Sequence, residues 1–178
     1  LASALSTLGD AQYWEESISP SEIRRSLQDA DPSSPSSVPV LLKAMKWLLA
    51  SISKGRDVSD FYVQVVKLVS CLHSLEVRKM VYIYLVQYAD HSPETRELSL
   101  LSINSFQRGL RDSEPWIRAL ALRVLTSVTL PDILAIQVLA VTQHAANDTS
   151  PYVRKCAAMA VSKLYPRCRE PEQRAVLL

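Results

Sequence analysis

The chain has 178 residues, 48% of them hydrophobic and 21% charged, with a formal net charge of +2; that is enough apolar material for a sizeable core and excludes disorder by composition. The basic residues stand singly or in pairs, as in Arg24 with Arg25 and Arg78 with Lys79, so no block tracks a phosphate backbone and nucleic-acid binding is not expected. Only three glycines occur, no hairpin dipeptide separates the apolar runs, and none of those runs is long enough to span a bilayer, which excludes an all-β fold and a membrane span and leaves the expectation of a soluble, cytosolic helical protein.

The first residues give no firm signal. Ser19 followed by Pro20 predicts a helix start, with the serine as N-cap and proline at the first helical position, running through Gln28. "DADPSSPSSVPV", from Asp29, holds three prolines and four serines and predicts a loop, because such a run cannot sustain a helical hydrogen-bond ladder. Residues 1–37 are therefore expected to be a short helix and linker, and 38–178 a helical array. Leu41, Met45, Leu48 and Ile52 recur at helical spacing, and Gly55 offers a left-handed stop. Further helices are predicted from Asp57 or Ser59, from Ser74, from Ser92 and Pro93 to about Arg111, from Ser113 with Pro115 in the first turn, from Leu130 and Pro131, and from Ser150 and Pro151 to about Tyr165. At each Ser-Pro start the serine oxygen is expected to cap an orphan amide. "EPEQRAVLL" reads as the opening of one more helix, so the chain is expected to be part of a longer array.

Two stretches are nearly the same sentence: "DSEPWIRALALRVL" from Asp112 and "DTSPYVRKCAAMAV" from Asp148, with a looser version in "HSLEVRKMVYIYLV" from His73. Aligned on Arg78, Arg118 and Arg154, they lie 40 and 36 residues apart, with Val81, Ala121 and Ala157 three residues after each arginine. That period is the period of a two-helix repeat. Each pair cannot bury its apolar face alone and must stack on a copy of itself. The expected units are 57–90, 93–128 and 131–165, with short loops that force neighbouring helices antiparallel. The pattern of Asp112 and Asp148, a turn, then Val or Ile with Arg, resembles the HEAT repeat. That resemblance implies an all-α, right-handed superhelical solenoid of HEAT-like antiparallel pairs. It also implies that the arginines hydrogen-bond turn carbonyls or the aspartate of a neighbouring unit, a task suited to a planar fork of donors.

Little in the chain suggests chemistry. Cys71 and His73 make half a zinc site with nothing to complete it, no cofactor motif is present, and Glu15 and Glu16 are adjacent and cannot face each other across a reacting group. No enzyme activity and no metal or cofactor are expected. Asn147-Asp148-Thr149 is a glycosylation sequon, read here as a polar turn between helices. Two features suit binding. Leu98, Leu100, Leu101, Ile103, Phe106 and Leu110 spread over more than one face of their helix, which fits either several packed neighbours or an exposed partner patch. Lys43 and Lys46 share a face that either meets an acidic membrane surface or is simply solvated.

"SKGRDVSDFYVQVVKLV", "VRKMVYIYLVQYAD" and "LSLLSINSFQRGLRDSEPWIRALALRVLTSV" resemble the N-terminal trunk of the β-adaptins, and "INSFQRGLRD" with "RALALRVLTSV" is most similar to the β chains of adaptor protein complex three. The resemblance runs from about Leu42 to Leu178. It implies a non-enzymatic coat scaffold that pairs with a second large chain and cradles a medium and a small one. It further implies recruitment to Golgi or endosomal membranes by an Arf-family GTPase in its GTP form, with Leu100 and Ile103 at the matching contact positions, and sorting of cargo towards lysosomes or the vacuole. Clathrin binding belongs to a hinge beyond the trunk in this family and is not expected here. The lysine run that related chains carry before the helix at Val40–Ile52 is replaced by "DADPSSPSSVPV", so only a weak or indirect membrane contact through Lys43 and Lys46 is implied. A coatomer-like or importin-like transport solenoid is the rival reading.

Overall fold

The structure, a computed structural model, describes residues 18–69 and 74–177. Those residues are helical with no strand among them, and the chain divides into two compact units, Leu1–Tyr88 and Ala89–Leu178. Cys71, His73, Glu15 and Glu16 lie outside the described residues.

The first unit holds α1 (Pro20–Asp29), α2 (Val38–Ser53), α3 (Tyr62–Leu68) and α4 (Leu75–Tyr88). At the start of α1 the amide of Glu22 donates to Ser19 Oγ at 3.2 Å while the amide of Ser19 donates to Glu22 Oε2 at 3.2 Å, satisfying two orphan donors reciprocally. Ile23 and Leu27, one turn apart, are buried where α1 packs on α2 and α3. Residues 20–29 thus share a core with the helices that follow. The proline-rich loop ends in a 3-10 turn at Pro35–Ser37, and α2 starts directly after it, two residues before the expected Val40. Proline is admitted in that first turn because its missing N–H has no intrahelical acceptor there. Gly55, at φ +74, ends the helix in the left-handed region, with Arg56 N–H reaching back to Ser51 O at 3.0 Å.

Leu41, Met45 and Leu48 of α2 and Val77, Val81 and Tyr84 of α4 are buried where the two helices meet. Full burial of each large aliphatic side chain contributes roughly 1.5–3 kcal/mol before entropy is counted. Two tyrosines of α4 fix the entry to α3. Tyr84 Oη donates to Val58 O, and Val58 N–H donates to Tyr88 Oη at 3.1 Å, so both backbone polar groups of one buried residue are satisfied. Burial pushes both phenols above their usual range.

The second unit holds α5 (Pro93–Gly109), α6 (Pro115–Leu125), α7 (Leu134–Asn147), α8 (Pro151–Leu164) and α9 (Pro171–Leu177). α5 packs on α6 and α7 on α8, as two helix pairs; α6 also packs on α8, and α7 on α9. First helices therefore lie beside first helices and second beside second, which is how a solenoid stacks. Small residues set the spacing: Ala121 and Ala157 have no exposed surface, and a Cβ built on Gly109 would sit 3.0 Å from the Cβ of Ala121.

Helix entry departs from expectation at two places. Ser92 does cap α5, accepting from Thr95 N–H at 3.2 Å. Ser113 and Ser150 do not cap α6 and α8. There the aspartate two residues before the N-cap instead accepts from the N-cap amide: Glu114 N–H donates to Asp112 Oδ1 and Ser150 N–H to Asp148 Oδ1, each at 2.9 Å. Each is an Asx turn that shapes the chain leading into the helix. The helix expected from Leu130 begins as a 3-10 turn at Pro131–Ile133 and becomes α-helical at Leu134.

Candidate functional site

The residues of the repeated motif meet at the turns of the second unit. Asp148 sits between the two helices of the second pair, its side chain 3% exposed, and Arg118 of the preceding pair reaches it with a 12% exposed side chain. Arg118 Nε donates to Asp148 Oδ2 and Nη2 to Oδ1, both at 2.9 Å, a two-pronged pairing of the kind that gives a guanidinium and a carboxylate both energy and direction. Nη1 donates to the carbonyls of Asp112 and Ser113 at 2.8 and 2.9 Å. His144 Nδ1 lies 3.0 Å from Asp148 Oδ2, and with Ser150 N–H the carboxylate gathers four donors. Those hydrogen bonds, the Arg118 fork first, hold its carboxyl well below the usual carboxylate range. One rung thus ties four segments: the turn before α6, α6 itself, the end of α7 and the start of α8.

Arg154 repeats the local half of this pattern, with Nη1 donating to Asp148 O at 2.8 Å and Thr149 O at 3.2 Å. Asp112 supplies the turn carbonyl and the cap to Glu114 described above. Arg78 belongs to the first unit, on the first turn of α4, where its charge partly offsets the upward push that burial gives the Tyr82 phenol. This is a mechanical arrangement: the hydrogen bonds of Arg118, Asp148 and Arg154 Nη1 are directed at backbone or at another rung member. Among the described residues no group of three or more His, Cys, Asp and Glu is placed to hold a metal ion, and Cys156 and Cys168 are buried free thiols.

The candidate contact residues on α5 separate. Leu100 is 39% exposed, whereas Ile103 is 5% exposed and packs inward with Phe106. Ile103 is therefore corrected from a contact to a core position. Leu101, at 72%, is the most exposed large apolar residue of this helix, and with Leu100 it forms the outward apolar face. The inward face is partly polar: Thr95, Ser99 and Ser102 are buried there, with Ser99 Oγ donating to Thr95 O and Ser102 Oγ to Ser99 O, each at 2.6 Å. On α2, Lys43 is exposed and Lys46 half-buried; Lys43 lines a shallow cleft between α1 and α2 with Arg25 and Glu22. No described helix is long and apolar enough to cross a membrane.

Stacked helix pairs joined at their turns by an aspartate–arginine rung define a HEAT-like scaffold. The family follows from comparison with known proteins. Residues 15–175 match the family described as "Adaptin N terminal region", and the chain belongs to that family. Over 124 residues it is 52% identical to AP-3 complex subunit beta-2 of Mus musculus, covering 70% of this chain and 11% of that protein. Over 161 residues it is 41% identical to AP-3 complex subunit beta of Dictyostelium discoideum, covering 90% of this chain and 14% of that one. Among solved structures it matches a chain of a homology model of the full-length AP-3 complex in an intermediate open conformation, with a TM-score of 0.63 and 28% identity, over 94% of this chain and 25% of that chain. The chain thus spans only about an eighth of the length of the curated relatives it matches.

Proposed function

We propose that this chain is trunk material of the β large subunit of an AP-3-type adaptor complex, acting as a non-enzymatic scaffold in vesicle-mediated sorting of cargo from Golgi and endosomes towards the lysosome or vacuole. The observation that carries this reading is the identity of 41–52% to AP-3 β subunits. A stacked-pair fold whose polar residues are spent on holding helices together suits a scaffold, which must present extended surfaces without chemistry of its own. Its partners are the second large, the medium and the small chains of the complex, and it sits peripherally on the cytoplasmic face of Golgi or endosomal membranes and transport vesicles. No cofactor is required and clathrin is not bound by this segment. A fluorescent fusion of the full-length protein tests this. It should mark vesicles and perinuclear membranes, and deleting residues 38–178 should leave it diffuse; unchanged membrane puncta after the deletion would remove the segment from that role.

Recruitment by an Arf-family GTPase in its GTP form is part of the same reading, and it rests on the outward apolar face of α5. Switch segments of such GTPases are ordered only with GTP and present an apolar surface. Leu100 with Leu101 supplies a matching patch; Lys43 and Lys46 supply at most a weak membrane contact. Leu100→Asp should weaken binding to the GTP-loaded form by about thirtyfold, the loss typical of a central apolar anchor. Equal capture of the GTP-loaded GTPase by the folded variant would clear Leu100 from the contact.

A further inference from the structure

The two second helices of the second unit, α6 and α8, leave one long face open. The repeat sets its register, so that each position on α6 has its counterpart 36 residues later on α8. At one end Trp116 and Tyr152 lie against each other with ring centroids 4.7 Å apart and planes tilted by 49°, although Trp116 is 61% exposed. At the other end Lys163 Nζ donates to Ser127 Oγ at 3.0 Å. These two rungs are separated by roughly 16 Å of helix axis at 1.5 Å per residue. Against them lies a groove of about 420 Å³, with Tyr152, Cys156, Met159 and Ala160 among its lining and Met159 63% exposed.

The charge of this groove is one-sided. Arg123, Lys155 and Lys163 line it and no aspartate or glutamate does. None of the three forms a salt bridge to a carboxylate among the described residues. Elsewhere in the unit Arg96 pairs with Asp90 and Arg118 with Asp148. An aromatic pair and a thioether beside cations with no carboxylate partner is the composition of a contact surface that takes apolar anchors at its centre and opposite charge at its rim.

We propose that the α6–α8 groove docks an acidic amphipathic segment of a partner protein. Large apolar side chains of that segment lie against Trp116, Tyr152 and Met159, and its carboxylates meet Arg123, Lys155 and Lys163. Three cations within some 16 Å are too few to hold a nucleic-acid backbone, which is gripped by many phosphate contacts. A recessed apolar floor also suits an inserted side chain better than a flat membrane surface. The proposal stands on this groove alone and does not depend on the coat role.

Fluorescence anisotropy with a short fluorescein-labelled helical peptide, glutamates on one face and leucines on the other, tests it on the full chain. The peptide should bind saturably, more weakly as salt rises, and the same peptide with glutamine for glutamate should bind on the order of tenfold more weakly. Met159→Asp, and the combined Arg123→Glu, Lys155→Glu and Lys163→Glu, should each cost on the order of tenfold in affinity, while Leu139→Asp, at an exposed position of α7 outside the groove, changes nothing. Circular dichroism checks each fold, and Lys155→Glu, a single exposed position, replaces the triple variant if that one fails to fold. Equal binding of the glutamine peptide, unchanged binding by a folded charge-reversal variant, or capture by anionic phosphatidylserine vesicles without peptide binding would overturn it.

Discussion

Replacing Asp148 by alanine is expected to cost the second unit about 3 kcal/mol. The substitution removes two charge-assisted bonds from Arg118 at 2.9 Å, the 3.0 Å contact with His144 and the 2.9 Å cap on Ser150. Losing one member of a buried ion pair costs about 3–5 kcal/mol, because the other charge is left without compensation, and a lost cap adds about 1 kcal/mol. Two features pull the sum down: Arg118 keeps its bonds to the carbonyls of Asp112 and Ser113, and at 12% exposure its side chain has some access to water. The same motif supplies a control. Asp112 caps only Glu114 among the described residues and is half-exposed, so Asp112→Ala should cost about 1 kcal/mol. Urea unfolding followed by circular dichroism separates the two, since 3 kcal/mol moves the midpoint by about 1–3 M. The reasoning fails if both substitutions shift the midpoint equally, or if Arg118→Met and Asp148→Ala together cost the sum of each alone, for residues in one network must couple.

Acid should act through the same rung. The Asp148 carboxyl titrates lower in the folded chain than the ordinary aspartate value of about 3.9, so the unfolded chain takes up its proton first and the stabilisation, complete well above that value, is lost as pH falls below it; Asp148→Asn should flatten the acid limb of a stability–pH curve, and an unaltered limb would contradict this. Gly109→Val should lower the melting temperature, because even its Cβ would lie 3.0 Å from that of Ala121 and overpacking costs about 1–3 kcal/mol; an unshifted melt would show that α5 can move away. Ala157→Arg should unfold the unit, placing a charge where no surface is exposed, and a native melt would place residue 157 outside the core. Ile103→Asp should destabilise severely while Leu101→Asp leaves the melt within about 0.5 kcal/mol of the unmodified chain; the reverse order would invert the faces of α5.

The fold was legible because its repeat is written in residues that each have a local task. Asp148, Pro151 and Arg154 recur with Asp112, Pro115 and Arg118 at one spacing, and turn chemistry holds that spacing fixed. The bond from Arg118 to the aspartate of the next pair is the kind of contact the HEAT resemblance implies. The phase of α5 was not legible. Its buried face carries Thr95, Ser99 and Ser102, whose hydroxyls bond carbonyls nearby and pack as small core residues, while Leu100 and Leu101 face out, so the hydrophobic period points the wrong way. Ser113 and Ser150 do not cap because the turns before α6 and α8 are shaped by Asp112 and Asp148, a choice of geometry that a serine near a proline does not reveal. The α6–α8 groove had a visible signal in the 36-residue pairing of Trp116 with Tyr152, but exposure of an aromatic pair is decided by what neighbours leave uncovered.

Purification of the four-chain assembly tests the scaffold role most directly. The full-length protein carrying this segment, co-expressed with the second large, medium and small chains of an AP-3-type complex, should elute with all three in equal amounts. The same protein carrying Ala157→Arg should lose partners along with the fold of its second unit. Elution of the unmodified, folded protein on its own, with the other three chains present and soluble, would contradict the account.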